Sequence, residues 1–289
     1  MTEATRRVGL IGLGNMGLPM ARTLEAAGFA VTGFDAAEAR RAAFSPSADT
    51  VTDLAAGNET LLLSLPTSEI VEKVVAEAAP ALAAGSLIID TSTAEPASTR
   101  RLQSELAAKG LGYVDAPVSG GPSGARNAHL LVMAGGSPAD LDRAEPLLTA
   151  LSRQVVRCGG PGTGNVTKLV NNLLCAAHLT LAGEALALAE AGGLSPEALL
   201  AALNIGSGRS GVTEVNLPRW VLSGDFDSGF SMGLMRKDVG IALKLAKEAG
   251  LSPPMAQAAA AIWGESQNAV SDDEDFNRMV TYAKEFSRK

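Results

Sequence analysis

Over the first 160 residues, short apolar runs alternate with stretches whose hydrophobic residues recur at helical spacing. The run opening at Val8, then Phe29–Phe34, Thr60–Leu65, Ser86–Asp90, Tyr113–Val118, Leu130–Ala134 and Gln154–Arg157 read as strands bounded by turn residues. Leu18–Ala27, Ser68–Leu82 and Ala97–Lys109 read as helices between them. This alternation predicts a parallel, doubly wound sheet whose strands are buried on both faces. At GGPGTG, near Gly159, the texture changes, and nothing beyond reads as a strand. Thr163–Ala191 is one long helical pattern, apolar on nearly every side, which must be buried between domains or between subunits. Further helices are predicted near 195–205, 231–249, 254–268 and 275–286. Ser195-Pro196-Glu197 and Ser252-Pro253-Pro254 supply capping residues with proline in the first turn. Residues 1–162 are therefore expected to form an α/β domain, and residues 163–289 an all-helical one.

The first strand runs straight into VGLIGLGNMG, with glycines at 12, 14 and 17 and a helix at once behind them. In that context the spacing is a dinucleotide fingerprint. Gly12 permits the tight turn, Gly14 lets amides approach a pyrophosphate, and Gly17 lets the helix pack close to the strand. The helix terminus adds partial positive charge. A glycine-rich structural turn is the plainer alternative. Asp35 decides against it, because it closes the second strand 23 positions after Gly12, where an acid bonds the ribose 2′-hydroxyl. A carboxylate there repels a 2′-phosphate, so NAD is expected over NADP. Arg40 and Arg41 follow closely and keep NADP possible.

Further places carry candidate chemistry. Lys168 and Asn172 are four apart and share a helix face, flanked by Val166, Leu169, Val170, Leu173 and Leu174. A lysine in such surroundings loses hydration, which favours its neutral form and suits proton transfer near neutral pH. Spacing alone leaves catalysis and a chance surface pair open. Ser119-Gly120-Gly121 follows a strand and is either a nest for an anion or an ordinary turn. Leu65-Pro66 and Thr91-Ser92-Thr93 end strands at the carboxyl edge of the sheet, where ligands lie in open α/β folds. Arg209, in Gly206–Ser210, is either a bidentate anion contact or a solvated loop residue. Phe226, Phe230 and Trp220 read as core, and His178 and Cys175 as structural.

Composition narrows the classes. A formal charge of −7 with no long basic run argues against nucleic acid or an acidic membrane surface. Cys158 and Cys175 are too few for a disulfide framework, and with His129 and His178 they give no metal-site spacing. The opening MTEATRR lacks a signal-peptide core, and no run is expected to approach the length of a membrane span. A cytoplasmic protein is the expectation.

Together, GLGNMG (12–17), SLP (64–66), DTST (90–93), DAPVSGG (115–121), GTGNVTKLVNN (162–172) and RKD (236–238) resemble the β-hydroxyacid dehydrogenase family. The resemblance covers almost the whole chain and keeps the family's motif order. It implies an N-terminal Rossmann-type doubly wound α/β domain, a helical C-terminal domain and reversible oxidation of a small β-hydroxyacid. By the same resemblance, Lys168 is the catalytic residue and Asn172 its partner in holding substrate. Ser119, Gly120 and Gly121 bind the substrate carboxylate. Gly12, Leu13, Gly14, Asn15, Met16, Gly17, Asp35, Leu65, Pro66 and Thr93 line the cofactor, and Lys237 closes over it. No metal is implied. The chain departs from the family at Ala128-His129-Leu130, where members commonly read GTL, so His129 is a candidate pocket residue. The expected activity is NAD-linked turnover of a small 3-hydroxyacid or its semialdehyde, in a homodimer or homotetramer. An NADPH-dependent reductase of small aldehydes, an imine reductase and a non-catalytic nucleotide sensor are the alternatives.

Overall fold

The computed structural model describes residues 7–287; residues 1–6, read above for a targeting signal, lie outside them. The chain divides into two compact units, Met1–Lys168 and Leu169–Lys289.

In the first unit, β1 (Arg7–Ile11), α1 (Gly17–Ala26), β2 (Ala30–Phe34), α2 (Glu38–Ala42), α3 (Val51–Gly57), β3 (Thr60–Leu63), α4 (Ser68–Ala78), β4 (Leu87–Asp90), α5 (Pro96–Ala107) and β5 (Gly112–Asp115) alternate as expected. These five strands are parallel, in the order β2-β1-β3-β4-β5. Period-two alternation feeds two cores. Leu10, Leu62, Ile89 and Val114 pack on one face with Met20 and Leu24 of α1. Ile11, Leu61, Leu63 and Ile88 pack on the other with Leu54, Val71 and Leu102. Each such side chain contributes roughly 1.5–3 kcal/mol by leaving water.

The expected strand Tyr113–Val118 is split, and the sheet is mixed rather than parallel throughout. Ala116-Pro117 interrupts it, since proline has no N–H to continue a ladder, and β6 (Val118–Ser119) resumes beyond. The short α6 (Gly121–Arg126) then returns the chain as β7 (Leu130–Gly135), antiparallel to both β5 and β6. A tight return of this kind makes antiparallel neighbours, whereas parallel ones need a longer crossover. That crossover follows: α7 (Pro138–Leu151), capped by Ser137, leads to β8 (Ser152–Gly159), parallel to β7.

Helix α8 (Thr163–Ala191) starts in the first unit and continues into the second. There it is joined by α9 (Pro196–Leu203), a π-helix over Val212–Val221, α10 (Met232–Glu248), α11 (Pro254–Glu265) and α12 (Arg278–Phe286). Among the described residues no strand follows β8, as the sequence pattern predicts. Ala176, Leu179, Ala182 and Leu186 of α8 pack with Leu200, Met235, Trp263 and Met279. The Trp263 indole donates to Ala176 O at 3.1 Å. A Cβ at Gly183 would stand 2.5 Å from Val280 O, so glycine is what lets α8 and α12 meet.

One expectation for α8 needs correction. It is long and apolar enough to cross a bilayer, with a window of mean hydropathy 1.4, so a run of that length does exist. Ala176, Leu179, Ala182 and Leu186 lie in the core of the helical unit, which accounts for part of that composition. In the single chain Val170, Leu174, Leu181 and Leu188 form an exposed stripe, the face that the expected burial between subunits would cover.

Ala128, between α6 and β7, holds φ at +52°. A Cβ there crowds the following carbonyl, which costs on the order of 1–2 kcal/mol. Ala128→Gly should therefore stabilise the protein by roughly 0.5–1 kcal/mol after glycine's own entropy cost. Urea unfolding measures this, and a loss of stability would contradict it.

Candidate active site

The glycine loop at the end of β1 has almost no clearance. A Cβ at Gly12 would lie 2.2 Å from Ser64 O, and one at Gly17 would lie 1.7 Å from Gly12 O. Gly14 is different, for only the flexible Arg40 guanidinium comes within 4 Å of such an atom, at 3.6 Å. Leu13 is buried and Met16 half-buried, while Asn15 is exposed. Among the described residues no side chain caps the first amides of α1, and its first turn holds no acid. The Leu18 amide already donates to Gly14 O at 3.1 Å and Pro19 has no N–H, so what this turn offers an anion is the glycine loop ahead of it and the helix dipole. The loop therefore fits a dinucleotide pyrophosphate.

Asp35 is buried at the end of β2 and braces this loop. Its Oδ2 accepts the Leu13 amide at 2.8 Å and its Oδ1 accepts the Ala37 amide at 2.9 Å. A carboxylate has about four lone-pair sites, so acceptor capacity is left for ribose hydroxyls. Arg40 Nη1 stands 3.5 Å from Asp35 Oδ2. Arg41 instead donates to Asp35 O at 2.7 Å and lies over the Phe34 ring.

Further along the carboxyl edge, the Leu65 amide donates to Ser92 Oγ at 2.9 Å, and Thr91 Oγ1 donates to Leu63 O at 2.6 Å. These bonds join the loop of Leu65 and the exposed Pro66 to the loop of the half-buried Thr93. Ser119 pairs with Leu131 across β6 and β7. Gly120 and Gly121 follow with φ of +127° and +60°, a backbone path that favours glycine. His129 lies next to this turn, its amide donating to Gly124 O at 2.8 Å, and its side chain is exposed.

Two fully buried acids stand side by side at the strand ends, Asp90 opposite Asp115 in register. Tyr113 donates to Asp90 Oδ2 at 2.9 Å, and burial together with that carboxylate pushes the phenol pKa up. Asp115 Oδ1 accepts the Gly162 amide at 2.8 Å, and its Oδ2 accepts the Asn165 amide at 2.9 Å. Burial raises the Asp115 pKa to about 7, with Asp90 adding to the rise while the two amides oppose it. Lys168, one turn beyond Asn165 on α8, is only 8% exposed.

In the second unit, Asn172 is also buried, and its Nδ2 donates to Asp238 Oδ2 at 2.6 Å. Asp238 Oδ1 lies 3.1 Å from Lys237 Nζ. The 1% exposed Asp238 thus orders two predicted residues, yet it was not among those singled out. The signal is its place in RKD: an acid next to a candidate cofactor lysine, on a helix where Met235 and Val239 are buried. Arg209 stands apart on an exposed loop, 3.5 Å from Glu214 Oε1. Arg278 covers the Phe226 ring at 3.9 Å, and Phe230 packs edge-to-face on Phe276. His178 and Cys175 are half-buried along α8.

A braced glycine loop leading from β1 into α1, at the carboxyl edge of a parallel sheet, defines the class as a dinucleotide-binding protein. Residues 7–160 match the profile of the NAD-binding domain of 6-phosphogluconate dehydrogenase, and residues 162–283 that of NADP-dependent 3-hydroxyisobutyrate dehydrogenase. The chain is 36% identical to 2-(hydroxymethyl)glutarate dehydrogenase of Eubacterium barkeri, with 96% of this chain and 95% of that protein covered. It resembles the structure of Mycobacterium tuberculosis 3-hydroxyisobutyrate dehydrogenase with L-serine, at TM-score 0.88 and 31% identity, covering 96% and 98% of the two chains. It also resembles Psf3 in complex with NADP+ and 2-OPP, at TM-score 0.86 and 26% identity, covering 95% and 99%. The chain belongs to the β-hydroxyacid dehydrogenase family, and it is an NAD(P)-dependent hydroxyacid dehydrogenase.

The raised pKa of Asp115 gives a signed pH effect. Between the ordinary value of 3.8 and about 7, the folded protein holds a proton that the unfolded chain has lost. Stability from this group is complete below that window and falls as pH rises through it. Asp115→Asn removes the effect, so its destabilisation should be largest near pH 5 and shrink by pH 8. Unfolding midpoints of both proteins across that range test this, and a pH-independent difference would refute it.

Proposed function

We propose that the enzyme reversibly oxidises a small 3-hydroxyacid at C3 with NAD, and that Lys168 exchanges the proton of the reacting oxygen. The observation that carries this reading is the burial of Lys168 on a helix fixed at its start by Asp115. When bound, the nicotinamide takes or returns the hydride. In oxidation Lys168 accepts the hydroxyl proton, and in reduction it donates a proton to the forming alkoxide. Asn172, aligned by Asp238, holds the same substrate oxygen region, and Ser119, Gly120 and Gly121 take its carboxylate. Gly12 to Gly17, Asp35, Leu65, Pro66, Thr93 and Lys237 hold the cofactor. Arg209 is assigned to a second anionic end of the substrate. In this reading residues 1–162 bind the nucleotide, residues 163–289 serve substrate and assembly, and the protein works in the cytoplasm.

NAD is preferred over NADP because the buried Asp35 carboxylate lies where a 2′-phosphate would crowd it. Arg40, already 3.5 Å from that carboxylate, is the residue through which NADP would be tolerated.

Initial rates with 3-hydroxyisobutyrate, glycerate, threonate, serine, 3-hydroxypropionate and 2-(hydroxymethyl)glutarate, each with NAD and NADP, test the activity. Strong NAD-linked turnover of one of them is expected. Lys168→Ala should lower kcat by about 10²–10⁴-fold while NAD binding persists. Undiminished turnover in that variant would remove Lys168 from the chemistry.

Assembly is proposed through the exposed stripe Val170, Leu174, Leu181 and Leu188, which runs along one face of α8. Such a stripe is buried most readily by another copy of itself. Light scattering should give a mass of two or four chains, and Leu174→Glu with Leu181→Glu should lower it. A monomeric native protein at micromolar concentration would refute the assignment.

A further inference from the structure

Asn165 and Thr99 play no part in the chemistry proposed above, and Asp115 only enters it by fixing the start of α8. All three are buried polar side chains next to Lys168's helix. Asn165 uses both ends of its amide: Oδ1 accepts the Ala94 amide at 2.9 Å, and Nδ2 donates to Thr99 Oγ1 at 3.1 Å. Its own backbone amide donates to Asp115 Oδ2. One residue thus ties the first turn of α8 to the end of β5 and to the loop after β4.

Packing leaves this turn little freedom. A Cβ at Gly164 would lie 2.3 Å from Met133 O and 2.9 Å from Asp115 Oδ2. A Cβ at Gly135 would lie 2.7 Å from Asp115 Oδ1 and 2.8 Å from the Gly164 amide. The helix start therefore rests against the ends of β5 and β7 with no side chain between them. Polar groups buried this deeply lose more than an ordinary hydrogen bond when one partner is removed.

We infer that Asp115, Asn165 and Thr99 form a clamp of positioning residues that fixes Lys168 relative to the Thr93-Ala94 segment. Lys168 is three residues beyond Asn165, and Ala94 directly follows the cofactor-lining Thr93. The clamp therefore sets the distance between the proton-handling amine and the loop that bounds the nicotinamide site. Registering a reacting group in this way matters, since a displacement of about 1 Å costs on the order of 100-fold in rate. The inference rests on the reading of Lys168 as the acid–base group.

The test uses full-length Asp115→Asn, Asn165→Leu and Thr99→Val at pH 8, below their melting temperatures, with the best substrate of the panel. Thr99→Val is isosteric and removes only the hydroxyl that meets Asn165, so it decides the matter if the other two fail to fold. Expected are falls in kcat of about 10-fold or more for Asp115→Asn and Asn165→Leu, and several-fold for Thr99→Val. KM for NAD should stay within about twofold, because the glycine loop and Asp35 are untouched. Amide hydrogen exchange at residues 166–169 should speed up while β1 and β3 stay protected. Unchanged kcat in Thr99→Val, or kcat and KM for NAD altered in proportion, overturns the clamp. Unaltered exchange at the start of α8 also overturns it, and this readout needs no turnover. If Lys168→Ala keeps full activity, the acid–base reading fails, while the exchange measurement still decides whether the clamp holds the helix.

Discussion

The start of α8 is held by a carboxylate that water never reaches. Asp115 meets two backbone amides there at 2.8 and 2.9 Å, and its fellow acid Asp90 ends the adjacent strand. Burying an acid beside another acid is costly, and desolvation outweighs the two amides, which is why its pKa rises to about 7. What the fold gains is a fixed junction between a sheet and a long helix. Gly135 and Gly164 make the same junction by leaving no space for a side chain. Lys168 inherits its position from this junction.

The helix termini divide the labour in the first unit. Thr50 caps α3, Thr67 caps α4 and Ser137 caps α7, each accepting an amide of its own first turn. These ends are finished by the chain itself. α1 has no such side chain, nor do α2, α5 and α6; what sets α1 apart is the loop before it, which admits only glycine at positions 12 and 17. A glycine loop leading into a helix N-terminus is suited to an anion. Asp35 adds a second constraint by holding the Leu13 and Ala37 amides at once, so the acid at the end of β2 also shapes the glycine loop.

Much of this was legible in the sequence because it depends on local chemistry. Glycine spacing, an acid at a strand end and alternating apolar runs act over a few residues, and the strands fall close to their predicted positions. Longer-range features were less visible. α2 and α3 are five and seven residues long, too short for helical periodicity to register. The antiparallel entry of β7 turns on Ala116-Pro117 splitting one apolar run in two. Asp238 is part of the RKD motif, but its partners Asn172 and Lys237 are set by folding. Arg209, prominent in sequence, lies on an exposed loop 3.5 Å from Glu214 Oε1, a pairing that no local pattern announced.

The sequence by itself determined the nucleotide loop, the α/β order, the helical character of the second unit and the family. Each of these follows from residue type and spacing, which act along the chain. Tertiary structure decided which polar residues would be buried together. Asp115 with Gly162, Asn165 with Ala94 and Thr99, and Asn172 with Asp238 are separated by 47 to 71 positions. No local pattern brings such pairs together. Their energies come from desolvation and from partners that exist only once the sheet and helices have packed.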